Sequence, residues 1–112
     1  MSRSDRDRLL DVLEAAAAID GHLARGPLSD GLVFDAVRVR LIEIGEAVKD
    51  VPGELLGCQP QIPWRQVAAM RDQLAHRYFD TSYAILEQTV TGDLAQLVAA
   101  VHALLDGLDP TG

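Results

Sequence analysis

The chain has 112 residues, 48% of them apolar and only 4% aromatic, with 10 Lys and Arg against 17 Asp and Glu for a formal charge of −7. That length suits one domain, residues 1–112, and the aliphatic composition suits packed helices better than a β-sandwich. Phosphate affinity comes from cations, so a chain this acidic is a poor general binder of nucleic acid: any such site must be a local basic patch, or the nucleic acid is engaged only weakly until a partner helps.

The single cysteine, Cys58, excludes an intrachain disulfide and has no Cys or His partner at metal-ligand spacing. The charged start MSRSDRDRLL lacks an apolar signal core. No apolar run approaches the ~20 residues needed to cross a bilayer. The sequence therefore reads as a cytoplasmic protein with no membrane attachment.

Taken in order, Ser4 is placed to cap a first helix, with Asp5 and Asp7 favouring its positive end. Leu9, Val12, Leu13, Ala16, Ile19 and Leu23 keep helical spacing, so the helix runs Ser4–Arg25 and stops at Gly26-Pro27. Ser29 or Asp30 caps a second helix, striped by Val33, Val37, Leu41, Ile44 and Val48. Leu32, Val39 and Ile42 widen that stripe enough to suggest burial on two sides, the second against another subunit. Arg38 and Arg40 read either as solvated cations or as part of an RNA- or partner-facing patch. Gly45 costs about 1 kcal/mol inside a helix, which implies that another helix packs closely there. Glu46 beside it is placed to pair with Arg65 or Arg71.

Residues 50–62, rich in Pro and Gly, form a connection with one helical turn around Glu54-Leu55-Leu56. A third long helix starts at Pro63, a residue suited to a first helical turn. Trp64, Val67, Leu74 and Ala75 make its apolar face. Asp80 or Thr81 caps the last helix, with Tyr83, Leu86, Val90, Leu94, Leu97, Val101, Leu104 and Leu108 at steps of three and four. Gly92 marks a bend or break in it, with Thr91 or Asp93 recapping the continuation. The whole reads as an all-α, up-and-down bundle of four to five helices.

Chemistry concentrates in PWRQVAAMRDQLAHRYFD, residues 63–80, where Arg71, His76 and Tyr78 lie within eight residues. On a straight helix Arg71 and Tyr78 are nearly aligned, whereas His76 points well away from Arg71. Three resolutions stand open: the helix ends near His76, Arg71 reaches around, or a second copy completes the site. His22 and His102 read as surface or rim residues. Glu43 and Glu46, three apart, read as solvated or salt-bridged rather than as cation ligands, and no metal site or cofactor is expected.

RDQLAHRY is an R-x4-H-x-Y pattern and resembles the signature of the HepT-like toxins of the HEPN superfamily. IPWRQVAAMRD, residues 62–72, and LIEIGEAVKD, residues 41–50, resemble the segments that accompany that signature. Asp72 departs from the Asn that often follows the motif Arg. The resemblance implies metal-independent endoribonuclease action at a homodimer cleft, with Arg71 stabilising phosphate and His76 as acid/base. Asp72, four residues before His76, would favour a general-acid role for it. The resemblance also implies a type VII toxin–antitoxin pair, in which an MntA-like nucleotidyltransferase adds AMP to Tyr78. An alternative from another class is a non-catalytic companion of the nucleotidyltransferase that binds nucleotide or substrate without cutting RNA; the acidic charge favours it.

Overall fold

A computed structural model describes residues 4–76 and 79–108, with the backbone alone for 79–81. The elements are α1 (Asp5–Leu23), α2 (Gly31–Lys49), α3 (Gly53–Leu56), α4 (Trp64–Ala75), α5 (Phe79–Gln88), a π-helical turn (Thr89–Asp93) and α6 (Leu94–Leu108). Because α5, the π turn and α6 follow without a break, the architecture is a five-helix all-α bundle with one short member, and no strand occurs among the described residues.

The caps follow from the side chains. Ser4 Oγ accepts from the Asp7 amide at 3.0 Å while the Asp7 carboxylate accepts from the Ser4 amide, a reciprocal capping box. Asp30, not Ser29, caps α2 by accepting from the Leu32 amide at 2.9 Å. Asp80 and Thr81 lie inside α5, which already begins at Phe79, so neither caps it. Pro63 is the residue before α4, and its carbonyl accepts from the Gln66 and Val67 amides.

Gly92 does not break the last helix. The Leu94 amide bonds the Thr89 carbonyl, five residues back, so the chain absorbs one extra residue as a π turn. Thr89 Oγ1 and Thr91 Oγ1 donate to the Ile85 and Glu87 carbonyls at 2.7 and 2.6 Å. Such back-bonding offers those carbonyls an alternative to the α-ladder, and Thr91 therefore does not serve as a cap.

Helix α2 is central, packed against α1 on one side and α4 on another, with α6 against α1. The core is aliphatic: Leu9, Val12 and Ile19 meet Val37, Leu41 and Ile44, and Leu74, Leu86 and Val101 close it. Leu32 and Val39, expected to widen the buried stripe, are 82% and 47% exposed. Phe34 is buried in their stead and stacks on Tyr83, ring centroids 6.0 Å apart and planes at 8°. On α4, Met70 is buried and Ala75 is exposed, contrary to the expected face.

Gly45 is the point of closest approach between α2 and α4. A Cβ there would stand 3.0 Å from the Arg71 amide nitrogen, 3.1 Å from Arg71 Cβ and 3.1 Å from the Val67 carbonyl oxygen. These are mostly backbone atoms and cannot rotate away. Gly21, in contrast, has open space where its Cβ would stand. The two glycines should therefore respond oppositely to alanine. Gly21→Ala should stabilise by about 0.5–1 kcal/mol through helix propensity. Gly45→Ala should destabilise by about 1 kcal/mol or more, overpacking exceeding the propensity gain. Urea unfolding midpoints measured side by side check both signs.

Candidate active site

The sequence around α4 explains how the helix is mounted. Ile62 is buried, and Trp64 Nε1 donates to the Gln59 carbonyl at 2.9 Å, anchoring the lead-in to the helix start. At the far end Arg38 Nη1 donates to the Leu74 carbonyl at 2.7 Å. A carbonyl in the last turn of a helix lacks its intrahelical partner, and the negative end of the helix favours a cation. Arg38 is thus neither a free solvated cation nor part of an open basic patch; it is a cap on the end of α4.

Arg71 leaves α4 at the Gly45 contact. Its Nε donates to Glu46 Oε2 at 2.8 Å and its Nη1 to Asp72 Oδ1 at 3.0 Å. The expected pairing of Glu46 with Arg71 is the one formed. The Asp72 hydrogen bond first, then the Glu46 charge, push the guanidinium pKa further up from its already high value, so Arg71 is a permanent cation. All three side chains remain substantially exposed, at 45%, 53% and 72% for Arg71, Glu46 and Asp72. Screening keeps such pairs weak, so an incoming anion can exchange with them. Arg71 opens onto a groove of about 460 Å³ between α1 and α2, shared with Arg8, Glu14, Arg40, Glu43 and Asp50. Arg40 binds Glu43 at 3.2 Å within it.

The helix ends at Ala75, and His76 is its exposed C-cap residue. Of the three resolutions offered by the sequence, the first describes where the helix stops. It does not bring the two side chains together: no hydrogen bond joins Arg71 and His76, and Asp72 is engaged by Arg71 rather than by His76. Tyr78 lies outside the described residues. His22 is half-buried and His102 exposed on separate helices, and Cys58 is an exposed free thiol. Among the described residues no group of three or more His, Cys, Asp or Glu side chains is gathered as a metal site, and no helix is long and apolar enough to cross a membrane.

Comparison with known proteins decides the family. The model of the HepT-like ribonucleases matches residues 9–104. The chain belongs to the HepT-like ribonuclease family. It is 37% identical over 101 residues to "Probable ribonuclease HepT" of Thermococcus cleftensis, covering 87% of this chain and 92% of that one. It is 40% identical over 68 residues to a "Putative RNase" of Caldanaerobacter subterraneus, covering 60% and 61%, and 32% identical over 82 residues to another from Methanocaldococcus jannaschii, covering 73% and 68%. No solved structure matches significantly. HepT-like membership agrees with the segments read from the sequence, whereas the Arg38 cap, spanning 36 positions, has no sequence signal.

Replacing Arg38 with Met keeps the aliphatic stem and removes the donor. Losing one charge-assisted hydrogen bond should cost about 1–2 kcal/mol. Hydrogen exchange should accelerate over residues 72–76 well before α1 or α6 is affected, as peptide-level exchange would read directly.

Proposed function

We propose that the protein is a metal-independent endoribonuclease and the toxin of a type VII toxin–antitoxin pair. The family match over residues 9–104 carries this reading. The mount of α4 supports it: Arg71 is fixed beside Gly45, and His76 is presented at an exposed helix end. In the reaction the RNA 2′-OH attacks the adjacent phosphorus and the 5′-oxygen leaves. The 2′-OH gives up its proton to a base, and the leaving oxygen takes one from an acid. Histidine can perform either transfer near neutral pH. Arg71 receives the non-bridging phosphate oxygens through its forked donors, using those that Glu46 and Asp72 leave free or give up.

Because Arg71 and His76 diverge on one protomer, the active unit is a homodimer. Leu32, Val39 and Glu46 recur at steps of seven along the outer face of α2. That line leads from exposed apolar surface to the carboxylate that binds Arg71. A second copy seated on Leu32 and Val39 would border Arg71 and supply a further His76. The antitoxin in this reading is an MntA-like nucleotidyltransferase that adenylylates Tyr78, adding bulk and negative charge two positions along the chain from His76.

Single-stranded RNA incubated with the unmodified protein should be cut. His76→Ala should slow cutting by at least ~10²-fold, the usual scale of a lost general acid or base, with its circular dichroism unchanged. Leu32→Glu with Val39→Glu should yield monomers by light scattering and lose cleavage as well. A His76→Ala protein that still cuts would overturn the assignment. RNA left intact by well-folded, dimeric, unmodified wild type would favour the non-catalytic companion instead.

Regulation has its own readout. Intact mass should show AMP-sized increments only after co-expression with the active nucleotidyltransferase, and peptide mapping should place them on Tyr78. An unmodified Tyr78 beside an active partner would remove this part of the proposal.

A further inference from the structure

A second cleft lies between α4 and the π turn, on a different face of α4 from the Arg71 groove. Its volume is about 330 Å³, at the low end of the ~300–1,000 Å³ usual for small-ligand sites. Its floor is apolar, from Val67, Met70, Ile85 and Leu97, and its walls carry Gln66, Gln73, Gln88 and Gln96. None of these four amides takes part in a side-chain hydrogen bond among the described residues. Among the described residues that line it, the one that is charged is an anion, Asp93.

The π turn builds this cleft. Gln88 and Gln96 are eight positions apart, which on an α-helix would separate them by ~80°. The extra residue absorbed at Thr89–Asp93 restores the alignment expected for seven positions, within ~20°. Both amides then face α4, where Gln66 and Gln73 occupy one face, also seven apart. Thr89 ties the turn to α4, its hydroxyl 3.8 Å from Met70 Sδ.

We propose that this cleft holds an unpaired base of the RNA strand and gives cleavage its base preference; the inference rests on the ribonuclease reading above. An amide offers a donor and an acceptor side by side, the pattern that reads a base edge, while an apolar floor with a methionine suits a flat heteroaromatic ring. A phosphate is disfavoured by Asp93 and by the want of a cation among the described lining residues. Charge along the chain agrees. All 10 Lys and Arg fall at or before Arg77, while Asp80, Glu87, Asp93, Asp106 and Asp109 follow it. With no Lys or Arg among residues 78–112, phosphates are disfavoured along α5 and α6, and an uncharged base is the part of the strand suited to that side. Gln73 precedes His76 by three residues, which makes them neighbours along α4, so a base held there belongs to a nucleotide near the scissile bond.

Two measurements on the full chain test this. The first titrates 15N-labelled protein with adenosine, guanosine, cytidine and uridine separately, following glutamine side-chain amides. Gln66, Gln73, Gln88 and Gln96 should shift with at least one nucleoside, while Gln59 and Gln61 stay still. The second sequences the cleavage products of a randomised single-stranded RNA pool. Wild type should prefer one base or base class beside the cut. Gln66→Ala with Gln88→Ala, both exposed helical positions that alanine suits, should reduce that preference ten-fold or more. Amide signals indifferent to all four nucleosides would overturn the proposal, as would an unchanged preference in the double variant while His76→Ala still stops cleavage. Nucleoside shifts in a protein that cuts no RNA would keep the base site and remove the ribonuclease reading.

Discussion

The structure depends on the contact at Gly45. Helix α2 is packed on both sides, and only a residue without a side chain lets the α4 backbone come within touching distance of it. That proximity places the Arg71 guanidinium over Glu46, the next residue on α2. A methyl group at position 45 would act on the backbone from which Arg71 projects. Fold and candidate chemistry are therefore coupled through one missing Cβ.

The site so formed is electrostatically quiet in a single protomer. Arg71 is covered by two carboxylates and faces a groove of mixed sign, while the chain as a whole is strongly acidic. RNA affinity cannot then come from a broad cationic surface, as it does in proteins that coat phosphate backbones. It must come from a few exchanged contacts, and in the proposed dimer from two such sites at once. The nucleotide of the proposed modification would need to block very little to silence a site of this kind.

Much of this was legible in the sequence because it is local. Capping residues, helical periodicity and the Gly-Pro stop placed four of the helices, and the Ser4 box formed as its side chains dictate. Gly45 betrayed a close approach because glycine inside a helix needs a reason. The resemblance of residues 41–50 and 62–72 to HepT-like proteins led to the family. What escaped is non-local or turns on a single residue of register. Arg38 finds the Leu74 carbonyl through tertiary packing. Gly92 suggested a break, but threonine hydroxyls and one five-residue hydrogen bond kept the helix continuous. Phe34 was within reach, since it falls three residues before Val37 and seven before Leu41; the exposed Leu32 and Val39 show that a wide apolar stripe does not reveal which edge a monomer buries.

The two ways in which arginine holds α4 differ in their response to the medium. Arg38 bonds a neutral carbonyl at short range and partly out of water, so dissolved ions compete with it weakly. Arg71 is held by exposed carboxylates, whose attraction weakens progressively as salt shortens the Debye length from the ~10 Å of 0.1 M. Rising ionic strength would therefore loosen the guanidinium while the helix that carries it stays seated. The same ions would weaken its hold on phosphate, so the scaffold and the grip it presents have separate salt tolerances.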